Sequence, residues 1–158
     1  MQTIYIISVA LHVLAAMLWV GGMGFFALVV VPAARRSLDR AHAQTMLQAV
    51  GIRLGKVGWW LLGTLLVSGA TNLWARGFLS SLGTLSFWQS SFGHTLALKL
   101  AFVAVMAVVS FVHGRDARRG GPPASARKSA RASMLGRATF GLSLVVVLLA
   151  VMLVRGLP

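Results

Sequence analysis

Four long apolar runs, separated by polar and mostly basic stretches, set the pattern of this chain. The first extends from Thr3 to about Val31 and reads TIYIISVALHVLAAMLWVGGMGFFALVVV, with no Asp, Glu, Lys or Arg. That is more than the ~20 apolar residues that cross a bilayer as a helix. Pro32 and the pair Arg35, Arg36 follow it at once. The other runs cover about 57–74, 93–113 and 138–154. The pattern predicts an all-α integral membrane protein, an antiparallel four-transmembrane-helix bundle forming one domain over 1–158.

The stretches between the runs are distinct in kind. From Arg35 to Lys56 the sequence keeps a helical rhythm in SLDRAHAQTMLQAVG, which suits a helix lying at the interface, with His42 solvated or facing lipid. The segment 75–91 is short, carries Phe78, Leu79, Phe87 and Trp88, and is expected to dip into the headgroup region. The stretch 114–137 is rich in Gly, Pro, Ser and Arg and reads as a mobile basic cytoplasmic linker. Trp59, Trp60 and Trp74 fall near the ends of the second run, where indole rings favour the bilayer interface. Gly21, Gly22 and Gly24 on the first run, and Gly58, Gly63 and Gly69 on the second, are placed to let backbones approach closely.

Composition sharpens this picture. Of 158 residues, 58 % are hydrophobic and 11 % charged, with a mean hydropathy of +0.83; soluble domains carry about a quarter charged residues. The net charge of +13 sets fifteen Lys and Arg against Asp39 and Asp116, with no glutamate. In a soluble chain that surplus would point to nucleic acid. Here it lies between apolar runs, where it fixes topology and meets anionic lipid, so nucleic acid is not an expected partner. The first loop holds Arg35, Arg36, Arg40, Arg53 and Lys56, and the third Arg115, Arg118, Arg119, Arg127, Lys128, Arg131 and Arg137. The second loop has Arg76 alone and the tail Arg155 alone. This asymmetry predicts both termini outside. With no cysteine there is no disulfide, thiolate metal site or thiol redox chemistry. Met1-Gln2-Thr3 lacks a basic leader, so the first helix is expected to stay uncleaved.

Candidate chemistry centres on His12, the ionisable side chain deep in the first run. Such groups are costly in a bilayer and face a bundle interior. His12 is either a helix-helix hydrogen bond or a metal or haem ligand. A rise of ~1.5 Å per residue puts it roughly 13 Å below Thr3, and Lys99 about 8 Å below His94, so the two share a level in the outer half. His113 lies about 15 Å deeper than His12, too far for one haem iron to take both. Lys99, Met106 and His113 recur every seven residues on one face of the third helix, as His12 and Trp19 do on the first. Imidazole and thioether suit Cu(I), so His12, Met106 and His113 form a candidate copper ladder. The alternatives are that Met106 is core, His113 interfacial and Lys99 a snorkelling cation. Thr64, Ser68 and Asn72 share one face of the second helix, which most often bonds to neighbouring helices. The fourth run, with Ser143 its main polar residue, is expected to supply packing.

These residues resemble a known family. LHVLAAMLWVGGMGFFALVVVPAARR is similar to the first helix of the copper-resistance protein D (CopD-like) membrane proteins, with His12, Trp19, Gly21, Gly22 and Pro32 in its pattern. SGATNLWA and SFGHTLALKLAFV, with Gly93 and Lys99, resemble its second and third helices. The resemblance implies a multi-pass protein of the bacterial cytoplasmic (inner) membrane that handles copper in import, transfer or resistance. The chain is also similar to the HemJ-type protoporphyrinogen oxidases, which implies haem b held by His12 and Lys99. In that reading any enzyme activity is haem-dependent oxidoreduction; a ligand-free structural subunit is the third reading. The cofactor or cargo is therefore copper ion or haem b. Partners are the lipid bilayer and a homo-oligomer or membrane complex. No Ser-His-Asp set, phosphate loop or intramembrane carboxylate supports hydrolysis or carboxylate-based proton transport.

Overall fold

The computed structural model of the chain describes residues 2–119 and 126–155. It is 93 % helical and contains no strand among the described residues. The first run forms α1 (Gln2–Phe25), a π-helical turn (Phe26–Val30) and α2 (Val31–Ser37). The π turn has a local cause. Pro32 has no N–H and its ring crowds the carbonyl four residues earlier. The Val31 N–H reaches back five residues to the Phe26 carbonyl, widening the helix just before the proline.

Leu38 and Asp39 are extended and turn the chain into α3 (Arg40–Ala75). Asp39 caps that helix, its carboxylate accepting from Ala41 N at 3.0 Å and His42 N at 3.4 Å. α3 is 36 residues long, so the basic stretch from Arg40 to Lys56 and the second apolar run form one continuous helix of about 54 Å. It ends where Gly77 adopts φ +76°, with Phe78 N bonding to Leu73 O at 3.0 Å and Gly77 N to Trp74 O at 2.9 Å. A 3-10 turn (Ser81–Gly83) and the short α4 (Leu85–Gln89) lead into α5 (Ser91–Arg119), and α6 (Ala126–Arg155) closes the chain. Helix thus continues into the basic stretch from both sides; residues 120–125 of the expected linker lie outside the described residues.

The segment before α5 is folded rather than loose. Phe78 stacks on Phe92 at 4.6 Å, and Phe87 meets Phe78, Trp88 and Phe92 at 5.3–5.9 Å. Gly93 is required here. A Cβ on it would collide with the Phe87 carbonyl and sit 2.8 Å from Trp88 Cα, both backbone atoms that cannot yield.

α1 packs along α3 and α5 along α6, with lighter contact between α1 and α6 and between α3 and α5. Going up α1 the partners go down α3: His12 meets Gly69, Trp19 meets Gly58, Gly22 meets Leu54. The two are therefore antiparallel. α3 and α5 are opposed likewise, through Leu62 with Met106 and Trp59 with Phe111. Trp19, Leu62 and Met106 form the buried apolar centre. Gly22, Gly24, Gly58 and Gly69 each face a neighbouring side chain, whereas Gly21 and Gly63 meet nothing within 4 Å, contrary to the close approach expected of them.

The outer surface is as apolar as the centre. Trp60 is 81 % exposed, and Leu18, Leu28 and Val67 are more than half exposed. Such a surface needs an apolar solvent. Three helical segments, Gln2–Ser37, Arg40–Ala75 and Ser91–Val112, are long and apolar enough to cross a membrane, with Gly136–Met152 a shorter apolar stretch.

Candidate functional site

His12 is held by α3. Its Nδ1 lies 2.9 Å from Ser68 Oγ, and its ring rests against Gly69, where a Cβ would stand 3.4 Å from Cε1. Ser68 is buried, and its hydroxyl bonds to the Thr64 carbonyl one turn back at 2.5 Å. Ser8, one turn before His12, donates to the Ser68 carbonyl at 3.0 Å. Gly69 packs closely against the imidazole, and the hydroxyls of Ser8 and Ser68 tie α1 to α3 beside it.

The Ser68 hydroxyl also reaches the Thr64 carbonyl at 2.5 Å and the Leu65 carbonyl at 3.4 Å. With its one proton given to a carbonyl, Ser68 accepts from His12, an arrangement that favours the Nδ1–H tautomer.

Lys99 lies half-buried on α5. Trp19 and Met106 share one buried cluster with Leu62 of α3, which sets α1 and α5 in register there. His12 and Lys99, each seven residues before those two, fall at one level about 10 Å away. Met106, 3 % exposed, packs in the apolar centre with Trp19 and Leu62. It is therefore a level deeper than His12 and does not join it in one coordination sphere. The side chain of His113 lies outside the described residues. His94 is exposed on the first turn of α5.

A closed metal cage asks for more than is assembled here. Among the described residues no group of three or more His, Cys, Asp or Glu can hold a metal ion. His12 and Lys99 line neither of the two surface grooves, one between α1 and α3 and the other at the α2–α3 turn. What His12 offers is one nitrogen donor held against α3, with the Lys99 amine at a similar level on α5. Three buried polar atoms have no partner among the described residues: Trp19 Nε1, Asn72 Oδ1 and Ser110 Oγ.

Where α3 ends, Arg76 donates to Tyr5 Oη from Nε at 3.2 Å and Nη2 at 2.9 Å, with the guanidinium 5.8 Å from the ring centre. This ties the start of α1 to the end of α3, above the His12 level. The sequence marked His12, Lys99 and the Thr64–Ser68–Asn72 stripe but not Ser8, whose role depends on its facing α3. A small hydroxyl one turn before an intramembrane histidine was the available signal.

Comparison with known proteins gives one match. The family model for copper resistance protein D matches residues 48–153, from α3 through α6, a region that begins after His12. No curated protein and no solved structure matches. The matched segment covers well over half of a membrane-compatible helical chain, and the chain belongs to the copper resistance protein D family.

Proposed function

We propose that the protein is a multi-pass protein of the bacterial cytoplasmic membrane, with four antiparallel spans and both termini outside, that moves copper through the bundle with His12 as its entry ligand. The observation that carries this reading is the 2.9 Å contact of His12 Nδ1 with Ser68 Oγ, whose hydroxyl also bonds to the Thr64 carbonyl; the Nδ1–H tautomer that this favours leaves Nε2 free to bind. Neutral imidazole is a good donor to Cu(I). Copper is cargo here, so one weak site serves better than a cage: passage requires binding strong enough to enter and weak enough to leave. The Lys99 ammonium beside His12 acts in the same direction, because it opposes a second positive charge and shortens its stay. Met106, one level deeper, supplies the next soft donor, and His113 a further one beyond it.

Copper uptake into proteoliposomes tests this. His12→Ala should abolish protein-dependent uptake, Met106→Leu should slow it, and His113→Ala should reduce it. Undiminished uptake by a folded His12→Ala protein would remove the reading.

A second reading draws on Lys99. An ammonium next to an imidazole suits a ligand with anionic groups better than a bare cation, as in haem b held between His12 and Lys99. A Soret band in the purified protein, lost in His12→Ala and weakened in Lys99→Ala but intact in His113→Ala, would establish it in place of copper passage.

A further inference from the structure

At the turn between α2 and α3 a groove of about 380 Å³ is lined by Arg35, Leu38, Arg40, Ala43, Gln44 and Leu47. We propose that this groove is a discrete binding site for the phosphate headgroup of an anionic phospholipid. Arg35 and Arg40 hold the phosphate, and Leu38 and Leu47 lie along the apolar part of the lipid below it.

Three observations lead here. The groove has a firm floor, because Ala34 and Ala43, 4 % and 5 % exposed, bring the two helices together at the turn. Its two guanidinium groups lack a counter-charge. The nearby acid Asp39 is committed to the Ala41 and His42 amides and to the His42 ring. Among the described residues neither arginine has a hydrogen bond or ion pair. Two guanidinium groups at one groove repel each other unless an anion bridges them, and their planar forks match phosphate oxygens two at a time.

The third observation is depth, and it selects a lipid over free phosphate. From Thr3 to Val31 the helix rises about 42 Å, the thickness of a bilayer including its headgroups, ~40–45 Å. Arg35 follows about 6 Å further on. With the ~20° tilt usual for membrane helices that path projects to about 45 Å, so the groove lies at the headgroup layer, with two leucines on its wall. A headgroup of the adjacent leaflet reaches it without leaving the membrane. The proposal does not depend on what His12 binds, and its test reads lipid rather than copper.

The test is native mass spectrometry of the full chain titrated with phosphatidylglycerol against phosphatidylcholine. The wild type should retain one phosphatidylglycerol preferentially. Arg35→Gln with Arg40→Gln should weaken that binding at least about tenfold, as expected for lost charge-assisted bonds. Arg53→Gln with Lys56→Gln, which removes the same charge further along α3, should change it by less than about twofold if the screened long-range part is small. Gln44→Glu adds a negative charge inside the groove without touching either arginine and should also weaken binding. Equal weakening by the two double variants would mean diffuse attraction and overturn the site, as would a wild type indifferent to headgroup. Displacement of phosphatidylglycerol by inorganic phosphate would assign the groove to the free ion and overturn the lipid assignment.

Discussion

Ser68→Ala isolates the orientation of His12 from its presence. The substitution removes the hydroxyl 2.9 Å from Nδ1 while α3 keeps its backbone bonds and the buried position loses little volume. Intramembrane hydrogen bonds average about 0.6 kcal/mol, with a maximum near 1.7. A bond of about 1 kcal/mol that stabilises only the Nδ1–H form biases the tautomers about fivefold. Without it, Nε2 is more often protonated and unable to bind copper. Ser68→Ala should therefore slow copper uptake into proteoliposomes by about two- to fivefold and cost detergent stability no more than about 1 kcal/mol. Ser68→Thr, which keeps the hydroxyl, should restore most of the rate. Wild-type uptake by Ser68→Ala, alongside a dead His12→Ala, would refute the argument that Ser68 sets the working tautomer.

Other outcomes follow from the same geometry. With both termini outside, single cysteines should label with an impermeant maleimide in intact cells at Gly83→Cys and not at Ala124→Cys; the reverse pattern inverts the topology. Gly21→Leu should leave the thermal midpoint in detergent unchanged because nothing lies within 4 Å of its Cβ position, whereas Gly93→Ala meets backbone and should cost about 1–3 kcal/mol. Loss of stability in the first, or none in the second, would contradict the packing. The His42 ring, bonded to Asp39, is the main cause holding that carboxyl below its ordinary value. A lowered folded value means the cap contributes fully above the unfolded value of ~3.9 and is lost as pH falls through the lower, folded one. Hydrogen exchange at the Ala41 and His42 amides should rise across that acidic window, and Asp39→Asn should remove the pH dependence.

Much of the fold was legible because bilayer thickness and helix rise are fixed. The same arithmetic placed His12 and Lys99 at one level, and seven residues further along each helix Trp19 and Met106 share the cluster around Leu62. Rotation was less legible. The glycines of α1 and α3 looked alike in sequence, yet Gly69 and Gly58 face the seam and Gly21 and Gly63 do not. An apolar run has no polar stripe to show which side is inward. The stripe Thr64, Ser68, Asn72 was visible, but only the α1–α3 register singles out Ser68 as the partner of His12. Helix lengths were underestimated where charge begins. Arg40–Lys56 continues into the second span because nothing in it breaks a helix firmly, and Ala, Arg and Lys after residue 125 are good helix formers. The Arg35–Arg40 groove was beyond the sequence, since it depends on how two helices meet at a turn.

The central claim is that His12 carries its proton on Nδ1 and offers Nε2 to copper. Nitrogen-15 NMR of the His12 imidazole in bilayers, with and without Cu(I), tests it directly. Before addition, Nδ1 should appear protonated and Nε2 bare; on adding Cu(I), the Nε2 resonance should shift while Nδ1 stays protonated. A protonated Nε2 in the free protein, or an imidazole spectrum unmoved by Cu(I), would contradict the account.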